Sequence, residues 1–395
     1  MRVLIFIGSF TTGGAERQAY LLAKNLRHLG HYVEFWAFES KSLNQPFYEK
    51  LIGMNIQCRQ LPVFDIWSWA GIRREMGYIY NIRIFASFFV KLWHYRRSVP
   101  KESFDWAIPF TPVPSLVLLL YRGHVKIRSL IWSHRGGADS GNFPYTKLLT
   151  WFGRWRLNGL VANSQTGATH MAKVFCVPRD RVSFIGNIFE LSDFYIRDNA
   201  VVHDKDMTKI IHLANFYPEK DPETVIRAFA KVAGHPRKPK LILVGRHLSA
   251  SQLKGHILLV QQLGLEHAVD FIGEMAEQDV LVLLRSSNIG VLSTRSEGCP
   301  NAILEYMSVN LPIVATNIPS ITDILPSESH QLLFDVGDEE GCANQLTRLL
   351  DDPSLGRDLA MKNFTHLRMK YEGDVVVHEW VQLLNSCSDR SLTTN

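Results

Sequence analysis

Glu297 and Glu305 stand with seven residues between them, Gly298-Cys299-Pro300-Asn301-Ala302-Ile303-Leu304. An ionised carboxylate accepts hydrogen bonds on both oxygens and so matches a vicinal diol, the group that a ribose or a hexose presents. Pro300, with its fixed φ and no N–H, suits the first turn of a helix. The free amides at a helix start suit a phosphate. Taken singly, two glutamates are most often solvated acids near a helix dipole. A diol acceptor, a tight glycine, a helix start and a second diol acceptor in one segment describe a site for a nucleotide that carries a sugar.

A strand must deliver this segment, and Ile289-Gly290-Val291-Leu292-Ser293 reads as a buried one. Further strands are expected at 3–8, 32–38, 127–134, 159–164 and 181–187 in the first half. In the second half they are expected at 209–215, 240–246, 269–274, 287–294, 311–317 and 330–335. Between the strands at 3–8 and 32–38, Ala19, Leu22, Ala23 and Leu26 repeat at helical spacing, with Gly30 as a C-cap. Strands alternating with helices predict α/β domains with parallel sheets covered on both faces. Ligands bind such sheets at the carboxyl ends of the strands, which is where Glu297 and Glu305 fall. Residues 191–208 are polar and without period, and the domain junction is placed there.

The segment from Leu292 to Ile324 resembles the donor-site motif of the retaining glycosyltransferases of family four: two glutamates spaced as here, then a small-residue helix and a strand like Leu311-Pro312-Ile313-Val314-Ala315-Thr316. Gly13-Gly14-Ala15-Glu16-Arg17 resembles the glycine loop of that family, Asn187 the Asn before its interdomain linker, and His212–Asp221 the first strand and loop of its donor domain. The resemblance implies a GT-B architecture, two Rossmann-like domains facing across a cleft. It divides the chain into an acceptor domain (1–188), a donor domain (189–374) and a C-terminal helix crossing back (375–395). It implies that Glu297, Lys220 and His134 are catalytic. Asn215, Met275, Gly298, Cys299, Pro300, Asn301 and Glu305, with Lys220 and Glu297, would bind the donor. Gly13, Gly14, Glu16 and Arg135 would line the phosphate and acceptor side, with Gly136 and Gly137 beside them. Where the family often pairs its lysine with an arginine, this chain has Asn215 or Phe216, and Arg246 and Arg295 are the candidates to compensate.

Each of these residues has a plainer reading. Gly8 to Ala15 has the glycine separation of a phosphate loop but lacks its Lys-Ser/Thr ending, so Gly13 and Gly14 could simply turn the chain into a helix. Glu16 could be a favourable first-turn acid, Lys220 a solvated lysine and His134 a loop residue. No Asp-x-Asp pair stands near these positions, so no metal is expected: Lys220 and helix-start amides would balance the leaving diphosphate.

Composition narrows the setting. The 395 residues suit two or three domains, and 46% hydrophobic content excludes wholesale disorder. Five scattered cysteines without a C-x-x-C pair support neither a disulfide framework nor a zinc site, and they fit a reducing compartment. The opening run 1–8 reads as a strand rather than a signal peptide, and no transmembrane span is expected. Residues 1–188 hold 24 Lys and Arg against 10 Asp and Glu, whereas the remainder holds 19 against 28. The basic half calls for an anionic partner. Aromatic and basic residues at Trp67, Trp69, Arg73 and Arg74, through 82–97 and again at 151–156 point to anionic lipid. Nucleic acid is not expected, for no binding motif accompanies the charge.

These readings lead to a metal-independent, retaining transferase at the cytoplasmic face of a membrane. It would move sugar from a nucleotide diphosphate, UDP ahead of GDP, to a lipid-linked saccharide or another envelope polysaccharide intermediate. A sugar-nucleotide epimerase on the same fold and a non-catalytic sugar-nucleotide-binding assembly partner remain the alternatives.

Overall fold

The computed structural model describes residues 1–11, 13–40, 45–64, 90–136, 153, 156–191 and 207–392. Its first sheet contains β1 (Arg2–Ile7), β2 (Tyr32–Phe38), β3 (Gln57–Leu61), β4 (Phe104–Pro109), β5 (Ile127–His134), β6 (Gly159–Ala162) and β7 (Val182–Phe184). They run parallel in the order β3-β2-β1-β4-β5-β6-β7. The helices of this half are α1 (Gly14–His28), α2 (Pro46–Gly53), α3 (Pro112–Val125) and α4 (Gln165–Val174). In α1 the anticipated stripe Ala19, Leu22, Ala23 and Leu26 is buried against the sheet.

The second sheet contains β8 (Thr208–Leu213), β9 (Pro239–Val244), β10 (Val269–Gly273), β11 (Ile289–Leu292), β12 (Ile313–Thr316) and β13 (Leu333–Phe334). All pairs are again parallel, in the order β10-β9-β8-β11-β12-β13. Around it lie α5 (Pro222–Val232), α6 (Ala250–Gln262), α7 (Glu277–Arg285), α8 (Asn301–Ser308), the single turn α9 (Pro319–Thr322), α10 (Glu339–Asp351) and α11 (Pro353–Lys370). Each sheet carries a hydrophobic cluster on both faces, as sheets covered by helices require. The last helix, α12 (Gly373–Leu392), places Val376, Val377, Trp380 and Leu384 in the core of the first half.

Two strands escape the sequence pattern. In β3 only Leu61 is buried, so this edge strand shows no apolar alternation. The apolar stretch around Pro109, Pro112 and Pro114 divides: Pro109 ends β4, while Pro112 and Pro114 lie in the first turn of α3, where a missing N–H costs nothing. In both sheets the strand order reverses beside the first strand, at β1/β4 and at β8/β11. Crevices form outside the carboxyl ends of strands at such reversals, and here the two crevices face each other.

Candidate active site

A cavity of about 470 Å³ occupies the cleft between the two sheets. Residues of the second half reach it from the ends of β8, β9, β10 and β11: Ala214 and Asn215, Gly245, Met275, and the run from Glu297 to Ala302 with Glu305. From the first half come Gly13, Gly14 and Arg17 at the start of α1, with Arg135, Asn163 and Asn187.

The loops after β8 and β11 are tied together. Arg295 N–H donates to the Glu219 carbonyl at 2.8 Å, and the Thr294 hydroxyl donates to the same carbonyl at 3.2 Å. This zip brings the Lys220 ammonium into contact with the Glu297 carboxylate. Burial pushes Lys220 down to about 8. The Glu219 carboxylate opposes that shift, because a nearby opposite charge favours the ionised form. Gly245, at φ +137°, lies so close to the β8 loop that a Cβ would meet the Ala214 carbonyl oxygen at 1.9 Å. Only glycine fits there, and its closeness lets the loop form the cavity floor.

Helix α8 is anchored by Tyr306. Its phenolic oxygen accepts from Leu213 N–H at 2.8 Å, and its hydroxyl faces the Ile211 and Val291 carbonyls at 3.3 and 3.2 Å. The ring packs on Gly290, where a Cβ would come within 2.6 Å of it. The neighbouring Glu305 is thereby held at the cleft wall. Burial pushes its carboxyl above the usual range, the Arg17 guanidinium pulls it back, and Glu277 pushes it up again.

The two halves meet through a buried polar chain. The Asn187 amide donates to the Cys299 carbonyl at 2.9 Å and to Asn301 Oδ1 at 2.8 Å. Its own oxygen accepts from Asn163 at 3.2 Å and from Arg135 at 3.3 Å. The Arg135 guanidinium lies over the Phe110 and Trp380 rings at 5.3 and 5.6 Å, and burial lowers it to about 10. Gly298 is pressed on Asn163, and Gly14 on Asn301. The N-termini of α1 and α8 therefore converge on one point, offering amides from both halves to an anion. Cys299 is buried and its thiol pushed up to about 12, so it packs as a small apolar side chain.

Of the residues expected from sequence, Gly13, Gly14, Arg135, Asn215, Lys220, Met275, Glu297, Gly298, Cys299, Pro300, Asn301 and Glu305 all line the cavity. Glu16 and His134 are outside its lining. The Glu16 carboxylate folds back over Gly13, and burial raises it. The His134 ring is buried beside Trp132, with centroids 6.1 Å apart. Arg246 and Arg295 are also outside the lining: Arg246 reaches Tyr217, and Arg295 lies 3.5 Å from Asp221. The arginines at the cavity are Arg17 and Arg135, both from the first half. Gly137 and the aromatic-basic residues Trp67, Trp69, Arg73, Arg74, Trp151 and Trp155 lie outside the described residues. Arg17, Asn163, Gly245 and Glu277 were not anticipated as site residues.

Residues 12–193 match the family model Glycosyltransferase Family 4, and residues 194–365 match Glycosyl transferases group 1. An N-acetyl-alpha-D-glucosaminyl L-malate synthase of Bacillus anthracis is 26% identical over 46% of this chain and 50% of its own length. The lipopolysaccharide core biosynthesis glycosyltransferase LpsE of Rhizobium meliloti is 26% identical over 52% of this chain and 61% of its own. The chain thus spans half to about three-fifths of these curated relatives. Among solved structures, Anabaena Alr3699/HepE in complex with UDP and glucose superposes with a TM-score of 0.77 at 18% identity, covering 98% of this chain and 100% of that one.

Proposed function

We propose that this chain, a glycosyltransferase of GT-B architecture, moves a sugar with retained configuration from a UDP-sugar to a lipid-linked saccharide or another envelope polysaccharide intermediate. The observation that carries the reading is the convergence in one cleft of two helix N-termini, the Lys220–Glu297 pair and Glu305. The amides and Lys220 suit a diphosphate, Glu305 the ribose diol and Glu297 the hydroxyls of the transferred sugar. In the reaction the bond between the anomeric carbon and the β-phosphate oxygen breaks, and the acceptor oxygen bonds to that carbon on the same face. The acceptor proton passes to the departing phosphate oxygen, while Lys220 balances its charge. With this cation and the helix-start amides, the reaction requires no divalent metal. Among the described residues, no group of three His, Cys, Asp or Glu side chains is arranged to hold one.

Uracil is favoured by the UDP complex of the structural neighbour, and an envelope acceptor by the lipopolysaccharide core relative. Peripheral contact with anionic membrane at the cytoplasmic face is part of the proposal. Val90 and Trp93 are each 55% exposed, the Arg97 guanidinium lies 4.4 Å over the Trp93 ring, and the exposed Arg96 reaches His124. No helix among the described residues is long and apolar enough to cross a membrane. The experiment is incubation with radiolabelled UDP-sugars and a membrane extract. Label moving into the lipid-linked fraction supports transfer. Isomerised free donor would establish an epimerase, and binding without turnover a silent partner.

A further inference from the structure

Arg17 lies one turn beyond Gly13 and Gly14, on the face of α1 that meets the other domain. Gly14 abuts Asn301, and one turn further along each helix Arg17 meets Glu305. Arg17 Nη1 donates to Glu305 Oε1 at 3.0 Å, and Nη2 reaches Glu277 Oε1 on α7 at 2.8 Å. Its side chain is 19% exposed and that of Glu305 is 13% exposed. The arm to Glu305 therefore operates at the wall of the cleft, away from bulk water, where charge interactions are screened least, whereas Glu277 is 55% exposed.

We propose that Arg17 is a positioning residue that the first domain lends to the donor site, clamping Glu305 from across the cleft so that its carboxylate is aimed at the ribose diol. This rests on the reading of Glu305 as the ribose ligand. Burial acts most strongly on Glu305 and favours the protonated form, Glu277 from α7 adds to it, and the carboxyl lies above its usual range even with Arg17 of α1 in place. Arg17 opposes both. Without it, Glu305 keeps its proton to higher pH. A protonated carboxyl loses the charge that strengthens both bonds to the diol and turns one of its acceptor oxygens into a donor. The donor domain then grips ribose fully only while α1 is seated against α8, which couples nucleotide affinity to domain contact without any residue of the first domain touching the ribose.

The test compares UDP with 2′,3′-dideoxy-UDP by calorimetry between pH 6 and 8.5. The ratio of their dissociation constants isolates the diol from the phosphates. In the parent, UDP is expected to bind about tenfold or more tighter than the dideoxy compound, the scale of hydrogen bonds to a charged group, with a weaker dependence on pH than in the variant below. In Arg17→Gln the ratio is expected to fall towards one at the acid end of the range and to recover as pH rises, and Arg17→Lys should restore much of it. A merely structural role would not produce this pH dependence. If Arg17→Gln weakens both ligands equally, Arg17 serves the phosphates and the proposal is overturned. If it tightens UDP, Arg17 blocks the ribose site and the proposal is likewise overturned. Glu305→Gln separates the two layers: a ratio unchanged by that substitution removes Glu305 from the ribose. A ratio that collapses in Glu305→Gln while Arg17→Gln leaves it intact rejects the positioning role alone.

Discussion

Replacing Tyr306 by Phe removes a single oxygen and leaves the ring against Gly290. That oxygen is the acceptor for Leu213 N–H at 2.8 Å, and the residue is fully buried. The N–H would be left without its partner in a part-buried site, a loss of about 1–3 kcal/mol. The hydroxyl hydrogen serves one carbonyl at a time across more than 3 Å and adds roughly 0.5 kcal/mol. A net loss of about 2 kcal/mol is expected, equivalent to roughly 4–8 °C in a domain of this size. Calorimetry on the full chain should show the lowering in the transition of the donor domain. Because Tyr306 sets the helix that carries Glu305, UDP affinity should fall in parallel. Tyr371→Phe is the control: its hydroxyl reaches the Asp323 carbonyl at only 3.4 Å, and little change is expected. A Tyr306→Phe protein melting within about 1 °C of the parent would refute the reasoning, since the oxygen would then not be the anchor of β8 and α8.

Lys220→Ala should lower kcat by roughly a hundredfold or more, the scale of losing one charge-stabilising group, and a kcat within a few-fold of the parent rejects its role at the leaving diphosphate. Gly298→Ala would place a Cβ 2.5 Å from Asn163 Oδ1 and 3.0 Å from the Gly136 carbonyl, so it should push the halves apart and weaken donor binding with little change in melting temperature. Thermal shift with UDP reads both quantities. Activity should survive EDTA, and its loss with rescue by Mg²⁺ or Mn²⁺ would overturn the metal-free mechanism. Sedimentation with anionic vesicles should decrease for the Arg96→Gln, Arg97→Gln double variant and at high salt, whereas equal pelleting with neutral vesicles argues against the charged surface.

The second half's side of the cleft was legible because its residues are contiguous. Residues from Ile289 to Glu305 pass from a buried strand through a glycine turn into a helix, and each step has a local cause. The first half contributes one residue at a time, through contacts that cross the chain. Asn163 acts through Asn187, itself joined to Asn301 over 114 positions, and Arg17 meets Glu305 over 288. No period or spacing encodes such pairs. Arg246 and Arg295 were reasonable candidates for a missing charge because they are predicted at the ends of neighbouring strands, yet their side chains turn to Tyr217 and Asp221. One local trace of Arg17 was nevertheless available. A cation in the first turn of a helix opposes the helix dipole, which favours acids at that end. In α1 the arginine stands one residue after Glu16. Residues that break a local rule mark places where another part of the fold offsets the cost. Here the offset is a pair of carboxylates, Glu305 and Glu277, both carried by the other domain. An arginine that is unfavourable on its own helix and favourable only across the cleft is stable where it stands when the domains are in contact, and that dependence makes it suited to couple domain contact to nucleotide affinity.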